Sequence, residues 1–222
     1  MSFDAIIFDM DGVLVDSEAL GMEAMRRVMA RQGVTYTEAD NNEFLGSTTL
    51  EECRVLKARY RLGADESELT REYVEILVEL SRERRRPMPG VPDVLVELRG
   101  AGYRMALASS AEPMVIDTNL RALGLGGFFA AVVSGTEVAR GKPAPDIFLE
   151  TAKRLGLAAP GCLVVEDSRN GLLAAKAAGM ACAVVPCAST CHQDFREADH
   201  LLRALLDLLA LVPPLPGRTR SA

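Results

Sequence analysis

The fold is decided by the stretch AIIFDMDGVLVD, which occupies residues 5–16 of the 222-residue chain. Its first four residues are apolar and two of them are β-branched, which predicts a short strand buried on both faces of a sheet. Asp9 and Asp11 follow this strand directly, and Gly12 comes after them. Ligands bind at the carboxyl ends of the strands in open α/β sheets. Both carboxylates are therefore predicted to lie at a ligand-binding edge.

The remainder of the chain divides into a helical block followed by alternating strands and helices. Residues 17–86 contain helical patterns, with a polar stretch at 35–42, and no pattern typical of a strand. Beyond the Pro- and Gly-containing turn at 87–90, short apolar runs alternate with helical patterns. This order predicts an α/β fold with a doubly wound, mostly parallel, Rossmann-like sheet. The expected later strands are 103–108, 129–133, 162–165 and 181–185, and a last helix is expected at 199–211.

The same pattern predicts how the chain is divided. Residues 1–16 and 87–222 are expected to form the sheet core, and residues 17–86 to form an all-helical insertion. The segment 213–222 is expected to be a frayed tail. The arginine-rich run at 82–86 is interpreted as the solvated end of a helix, with a phosphate-binding patch as the alternative.

Composition excludes several classes of protein. The formal net charge of −6 gives no reason to expect general affinity for nucleic acid. No apolar run reaches the roughly 18 residues of a membrane span, and the first predicted strand begins too early to leave room for a signal peptide. Nothing indicates a large exposed apolar face, so we expect a monomer or small homo-oligomer with neither a membrane nor a nucleic-acid partner.

The cysteines indicate a reducing compartment. Their number is five, which is odd and gives no even disulfide framework, so a cytoplasmic location is expected. Cys187, Cys191 and His192 lie close together in the sequence. No second Cys/His pair completes a tetrahedral metal site, so this segment is interpreted as a surface loop.

Polar side chains recur where the predicted strands end. They are Asp9, Asp11, Ser109, Glu166 and Asp167, with Lys142 in the loop after another strand. Taken singly, each has an ordinary interpretation: a helix cap for Ser109, a surface lysine for Lys142, and a turn for the acidic pair. Because parallel strands end at the same edge, their coincidence predicts that the side chains converge.

A cluster of four carboxylates needs compensating charge. Two carboxylates about 4 Å apart repel by roughly 4 kcal/mol at an effective dielectric constant of 20, so the cluster requires a cation or protonation. All candidate ligands are oxygens, which suits Mg²⁺ better than Zn²⁺. A phosphate group would bring a matching anion, and Ser109 and Lys142 would supply a hydroxyl donor and a positive charge for it.

Four motifs occur in order at the predicted strand ends: FDMDGVLVDSE at 8–18, ASS at 108–110, GKPAPD at 141–146, and VEDS at 165–168 with Gly171. Together they resemble the motifs of the haloacid dehalogenase-like hydrolases, and the likeness runs through nearly the whole chain. Asp-x-Asp-Gly alone is a weak signal because calcium loops also contain it. Within the family, the chain is similar to the phosphatases and sugar-phosphate mutases that carry a small helical cap.

The resemblance implies the catalytic roles. Asp9 would be the nucleophile that forms an aspartyl phosphate, and Asp11 the acid and base that serves the leaving oxygen and then the water. Ser109 and Lys142 would bind the transferring phosphoryl group. An aspartate at position 11 argues for phosphoryl transfer, because the dehalogenases of the family need no leaving-group acid there.

The resemblance also implies a Mg²⁺ site, a substrate-binding set and a cap. Mg²⁺ would be held by Asp9, the backbone carbonyl of Asp11 and Asp167, with Glu166 in or next to the coordination sphere. The helical block would close over the substrate. The implied phosphate- and substrate-binding residues are Ser109, Ser110, Lys142, Gly46 and Thr49.

Two positions separate hydrolysis from a mutase reaction. The related mutases carry a histidine ten residues after the acid/base aspartate and an arginine in the cap loop, where this chain has Gly21 and Thr49. We therefore expect a phosphatase acting on a small metabolite such as a sugar phosphate or phosphoglycolate. A sugar-phosphate mutase is the alternative, since Arg54 lies one helical turn further on. A phospho-receiver signalling module is a remote one.

Overall fold

The computed structural model describes residues 3–215, without the side chain of Glu83. Most of the predicted tail, 216–222, lies outside these described residues. The core elements are β1 (Ala5–Phe8), α5 (Val91–Gly100), β2 (Arg104–Ser109), α6 (Pro113–Ala122), β3 (Phe129–Ser134), α7 (Asp146–Leu155), β4 (Cys162–Glu166), α8 (Arg169–Ala177), β5 (Ala181–Val184), β6 (His200–Leu201) and α9 (Leu208–Leu211). The helical block contains α1 (Glu18–Arg31), α2 (Glu38–Phe44), α3 (Thr49–Tyr60) and α4 (Glu66–Arg84).

The sheet confirms the predicted α/β class. Its strand order is β3-β2-β1-β4-β5-β6, and every pairing within the described sheet is parallel. The order reverses between β1 and β4, where Ile7 pairs with Val164. In doubly wound sheets the ligand crevice opens at this reversal, just beyond the carboxyl ends of the strands. Asp9 and Glu166 therefore lie beside the crevice.

Strand β1 is buried on both faces, as its apolar run predicts. All four of its residues are fully buried. Ile6 and Phe8 pack into the cluster that contains helix α5, whereas Ala5 and Ile7 pack into the cluster that contains α7 and α8. Because successive side chains of a strand point to opposite faces, this alternation places helices on both sides of the sheet. Packing on both faces thereby fixes the position of β1 and of Asp9, which follows it.

Helix α2 is a correction to the sequence analysis, which expected only a polar stretch at 35–42. A capping box starts the helix: the Thr37 side chain accepts a hydrogen bond from the backbone N–H of Asp40, and the Asp40 carboxylate accepts one from the backbone N–H of Thr37. Arg59 and Tyr60 donate to the other oxygen of Asp40. The polar residues thus stabilise a short helix through capping and tertiary contacts, which hydrophobic periodicity does not detect.

The predicted helix at 199–211 is also wrong over its first half. His200 and Leu201 form the edge strand β6 beside β5, and a 3-10 turn precedes the single turn of α9. Asp199 explains the extended start, because its carboxylate accepts hydrogen bonds from the backbone N–H of Cys182 (2.8 Å) and from Lys176 (2.7 Å). These contacts tie the segment to the sheet edge before a helix can begin.

The helical block leaves and rejoins the core at adjacent points. The backbone N–H of Asp16 donates to the carbonyl of Arg86 (3.0 Å), and Val15 forms an antiparallel bridge with Pro87. Arg85, at the end of α4, is only 6% exposed, so the interpretation of the whole run 82–86 as solvated is wrong at this position. None of the helices within residues 3–215 is long and apolar enough to cross a membrane.

Candidate active site

The centre of the site is an ion-paired triad formed by Asp9, Lys142 and Glu166. The Lys142 Nζ lies 2.5 Å from Asp9 Oδ1 and 2.6 Å from Glu166 Oε1, and it also donates to the carbonyl of Ala108. Burial lowers the pKa of Lys142, but the two carboxylates reverse this effect and hold it above its ordinary value. Lys142 is therefore charged, and it fixes the orientation of the Asp9 carboxylate.

Glu166 is held as firmly as the lysine that it binds. Its Oε2 accepts hydrogen bonds from the backbone N–H groups of Asp167 (3.0 Å) and Ser168 (3.1 Å) and from the Ser168 hydroxyl (3.0 Å). Gly171 packs so closely that a Cβ there would lie 1.8 Å from the Glu166 carboxyl group. Both oxygens of Glu166 are thus engaged within the protein, which suits a group that positions Lys142.

Asp11 lies beside the triad in a different environment. The hydroxyls of Ser17 and Ser109 both donate to its carboxylate, the latter at 3.5 Å. Burial raises the pKa of Asp11, while these hydrogen bonds and the charges of Lys142 and Arg85 oppose the shift. A carboxyl group with a raised pKa keeps its proton to higher pH than an ordinary aspartic acid, and this is the direction that an acid for a leaving oxygen requires.

The turn after β1 passes directly against the carboxylate of Asp167 and requires glycine at position 12. Gly12 has a φ of 74°, and a Cβ there would lie 2.3 Å from Asp167 Oδ2. Any side chain at this position would displace the carboxylate of Asp167. The glycine of the Asp-x-Asp-Gly motif therefore lets the turn after β1 lie close to the Asp167 carboxylate.

Three buried carboxylates form a group that can hold a metal ion. One oxygen from each of Asp9, Glu166 and Asp167 lies within 4.8 Å of the others. Burial and the neighbouring acids raise the pKa of Asp9 and of Asp167. Lys142 supplies a single positive charge, which leaves the group under-compensated. An all-oxygen donor set with excess negative charge fits Mg²⁺, so the residues present suit the predicted ion.

The loop after β5 contributes two further donors to this group. Cys187 Sγ and Thr190 Oγ1 each lie 3.2 Å from Asp167 Oδ2. Among the residues that the structure describes, Cys187, Cys191 and His192 form no metal-ligating group of their own. This segment thus orients Asp167, a role that its position in the sequence does not indicate.

The remaining predicted substrate residues lie where the helical block meets the core. The Ser110 hydroxyl donates to the carbonyl of Gly46 (3.0 Å), so it links the two parts of the chain. The Thr49 hydroxyl faces Glu112 Oε2 at 3.4 Å. Arg54 pairs with Glu51 on the exposed side of α3 and does not line the cavity described next. The structure thus groups Ser109 and Lys142 with the aspartates and sets Ser110, Gly46 and Thr49 at the contact between block and core.

A cavity of about 120 Å³ lies above the aspartates, between the helical block and the core. Pockets for drug-sized ligands typically enclose roughly 300–1,000 Å³, so this one suits a smaller molecule. The sequence favours the segments 20–25 and 46–54 for specificity, but it gives no individual role to several residues that line the cavity. They include Glu18, Glu52, Tyr73 and Glu112.

Local sequence gives a signal for only some of these missed residues. Glu18 ends the motif at 8–18, and Glu112 follows the strand end at 108–110, so both lie next to recognised motifs. Glu52 and Tyr73 lie inside α3 and α4, where only the packing of the helices brings them to the cavity. Arg85 was likewise missed as a buried charge near Asp11, because it belongs to an arginine-rich run.

Comparisons with known proteins agree with this geometry. The chain is 33% identical over 212 residues to the protein CbbY of Rhodobacter capsulatus, covering 90% of this chain and 92% of that protein. It is 34% identical over 177 residues to a phosphorylated carbohydrates phosphatase of Thermotoga maritima, covering 80% and 82%. The crystal structure of a CbbY variant from Rhodobacter sphaeroides in complex with xylulose-(1,5)bisphosphate superimposes with a TM-score of 0.86 at 29% identity, covering 95% of this chain and 99% of that chain.

The family assignment rests on sequence and structure together. Residues 6–185 match the family described as haloacid dehalogenase-like hydrolase. This range begins in β1 and ends just beyond β5, so it includes every strand end that contributes to the site. The resemblance found in the motifs is thereby confirmed, and the chain belongs to the haloacid dehalogenase-like hydrolases, within their phosphatase subgroup.

Proposed function

We propose that this protein is a Mg²⁺-dependent phosphatase that hydrolyses a small phosphorylated sugar through an aspartyl phosphate on Asp9. The observation that carries the proposal is the pairing of Asp9 with Lys142 at 2.5 Å, beside a second, differently held carboxyl group on Asp11. One carboxylate is oriented as a nucleophile, and the other has a pKa shifted in the direction that favours its protonated form. Phosphoryl transfer to a carboxylate needs both.

The first half-reaction transfers the phosphoryl group to the enzyme. The free oxygen of Asp9 attacks phosphorus while its other oxygen stays bound to Lys142. Asp11 gives its proton to the leaving oxygen, and the alcohol departs. Ser109 and Lys142 supply a hydroxyl and a positive charge to the phosphoryl oxygens, whose negative charge grows in the transition state.

The second half-reaction returns the enzyme to its initial state. Asp11, now ionised, removes a proton from a water that attacks phosphorus, and the bond to Asp9 breaks. Mg²⁺ held by Asp9, Asp167 and the Asp11 carbonyl would neutralise charge on the phosphoryl oxygens. Glu166 acts here by holding Lys142, since its own oxygens already accept hydrogen bonds.

The helical block is proposed to act as a cap that excludes water during the first half-reaction. The hydroxyl of Ser110 and the side-chain amide of Asn170 both hydrogen-bond to the loop at 45–47, which fits a closed arrangement. The name of the Thermotoga maritima relative specifies phosphorylated carbohydrates. This relative, together with the small cavity, is the reason for proposing a sugar phosphate as substrate.

Two positions favour hydrolysis over a mutase reaction. Position 21 is a glycine, and a Cβ there would lie 3.1 Å from the hydroxyl of Tyr73, so this tyrosine occupies the space above it. At position 49, threonine interacts with Glu112 and brings no positive charge to the cavity. Neither residue can hold a second phosphate as an arginine would.

A phosphate-release screen tests the proposal. The purified chain is incubated with sugar phosphates, phosphoglycolate, nucleotides and p-nitrophenyl phosphate, with Mg²⁺ or with excess EDTA. We expect turnover of at least one sugar phosphate that EDTA abolishes and added Mg²⁺ restores. Conversion of one sugar phosphate into its isomer, faster than phosphate release, would replace the proposal with a mutase. No release from any ester would overturn it.

A further inference from the structure

Three glutamates form one side of the cavity above the catalytic carboxylates. Glu18 comes from α1, Glu52 from α3, and Glu112 immediately precedes α6. We call this group the acidic wall. No lysine or arginine lines the cavity among the residues that the structure describes. The cations of the site lie elsewhere: Lys142 is buried beneath the cavity in its pairs with Asp9 and Glu166.

The acidic wall has unused capacity to accept hydrogen bonds. Glu52 Oε1 accepts one from the hydroxyl of Tyr36 (2.5 Å), and Glu112 Oε2 faces the hydroxyl of Thr49. Glu112 Oε1 is buried and has no hydrogen-bond partner among the described residues. A carboxylate oxygen buried without a donor is unfavourable, so a ligand that supplies donors would relieve it.

Tyr73 adds a hydroxyl to the same surface. It lies above Gly21 and faces the carboxylates of Glu52 and Glu112. Burial, followed by these negative charges, raises the pKa of Tyr73 well above its ordinary value, so the hydroxyl keeps its proton. The wall therefore presents acceptors and one neutral hydroxyl to the bound molecule.

This composition determines which leaving groups are compatible with the cavity. Hydroxyl groups of a sugar or polyol donate to carboxylates, and such charge-assisted hydrogen bonds are stronger than neutral ones. A second phosphate or a carboxylate on the substrate would meet like charge with no cation to compensate, which strongly disfavours binding. The cavity thus discriminates by charge as well as by shape.

We propose that the acidic wall is the specificity determinant of the reaction. It accepts hydrogen bonds from the hydroxyls of a neutral sugar or polyol leaving group, and it rejects substrates with a second anionic group. This inference rests on the proposed phosphatase activity. The CbbY variant that superimposes on this chain was crystallised with a bisphosphate, a class of ligand that the acidic wall is proposed to reject.

The test compares two esters that differ in charge far from the phosphate. Sorbitol 6-phosphate carries only hydroxyls beyond its phosphate, whereas 6-phosphogluconate ends in a carboxylate. We expect kcat/KM to be at least about tenfold higher for the sorbitol ester, the difference that like-charge repulsion of a little over 1 kcal/mol produces. Equal values for the two esters would overturn the role of the wall.

Variants then assign the discrimination to the wall. The assays are run at about pH 8.5, above the raised pKa of Glu52, so that this group is ionised. Glu112→Gln and Glu52→Gln each replace a carboxylate with a neutral amide of the same shape, so each should reduce the ratio of the two kcat/KM values several-fold. Because both esters are measured on the same preparation, partial misfolding cancels from the ratio. Glu51→Gln is the matched control, since Glu51 is exposed on the outer side of α3, and it should leave the ratio unchanged. An unchanged ratio in both wall variants would overturn the inference.

A binding measurement keeps this test separate from the proposed activity. Calorimetric titration of Asp9→Asn with the same two esters measures their affinities in the absence of turnover. We expect tighter binding of the sorbitol ester. Equal binding of the two esters would refute the role of the wall in specificity, even if the enzyme is active. If the protein binds the sorbitol ester preferentially but releases no phosphate from any ester, the proposed role of the wall in binding stands and the proposed phosphatase activity is rejected.

Discussion

The two acidic regions of this molecule differ in how their charge is compensated. At the sheet edge, Asp9 and Glu166 share Lys142, and backbone N–H groups occupy the other oxygen of Glu166. In the acidic wall, the glutamates have hydroxyl neighbours but no lysine or arginine among the described residues that line the cavity. The first region is preorganised by the protein itself. The second is completed only by what it binds.

This difference follows from where the residues come from. The triad is built from the ends of β1 and β4 and one loop, which parallel pairing brings to a common edge. The wall is built from one residue of α1, one of α3 and the residue that precedes α6, which belong to different parts of the chain. Chemistry is therefore fixed by strand register and specificity by helix packing. Changes at the edge should abolish the reaction, whereas changes in the wall should alter its selectivity or its response to pH.

The largest effect is expected from Asp9→Asn. An amide still accepts a hydrogen bond from Lys142, but it cannot form the aspartyl phosphate, so kcat should fall by at least about 10⁴-fold. Phosphate release from a sugar phosphate measures the loss. Asp93→Asn, an exposed change in the first turn of α5, should leave kcat unaffected. Retention of more than about one per cent of the activity by Asp9→Asn would contradict the assignment of the nucleophile.

Asp11→Asn should produce the next largest effect, and one that depends on the substrate. Loss of a general acid typically lowers the rate by about 10²–10⁴-fold. The loss should be greatest for an alkyl phosphate, whose leaving oxygen needs a proton, and smaller for p-nitrophenyl phosphate, whose leaving group is stable as an anion. Comparing kcat for the two esters measures this dependence. Equal losses would show that Asp11 does not protonate the leaving group.

Gly171→Ala tests whether the edge region is as rigid as its hydrogen bonds indicate. Alanine favours a helix over glycine by about 1 kcal/mol, but here its Cβ would meet the buried carboxyl group of Glu166. Displacing Glu166 breaks its hydrogen bonds, so we expect a net loss of about 3 kcal/mol in the free energy of unfolding and at least about tenfold lower kcat. Urea unfolding and phosphate release measure the two quantities.

Gly127→Ala is the control for that change. No atom lies within 4 Å of a Cβ at Gly127, so the free energy of unfolding should change by less than about 0.5 kcal/mol. If Gly171→Ala behaved like this control, Glu166 would be mobile and could not position Lys142.

The same contrast explains what the sequence could predict. The catalytic residues end a strand, follow one or lie in a loop at the sheet edge, so recognising the strands was enough to predict that they converge. These residues are Asp9, Asp11, Ser109, Lys142, Glu166 and Asp167. Glu52 and Tyr73 lie inside helices and not at strand ends, so the sequence gives no comparable signal for them. Which side of a helix faces a cavity depends on how the helices pack. Local periodicity also missed α2, which capping stabilises, and gave a helix at 199–211 where Asp199 holds an edge strand.

The smallest predicted effect is a pH dependence of stability that arises in the acidic wall. Burial raises the pKa of Glu52 from 4.5 to about 7, Glu18 and Glu112 add to this, and the hydrogen bond from Tyr36 opposes it. At pH values between 4.5 and about 7, the folded chain binds more protons at Glu52 than the unfolded chain does. The free energy of unfolding therefore falls as the pH rises through this window. The full shift corresponds to about 3 kcal/mol, and the partial exposure of Glu52 reduces it to about 2 kcal/mol.

Glu52→Gln removes this titration but keeps an acceptor for Tyr36. The loss of stability between pH 5 and pH 8 should therefore be about 2 kcal/mol smaller in Glu52→Gln than in the unmodified protein, as measured by urea unfolding at each pH. All other titrating groups contribute to both curves and cancel in the difference. Glu51→Gln, on the exposed side of the same helix, should reproduce the unmodified curve. Parallel curves for Glu52→Gln and the unmodified protein would mean that Glu52 titrates as in water, and burial in the acidic wall would then have no effect on its protonation.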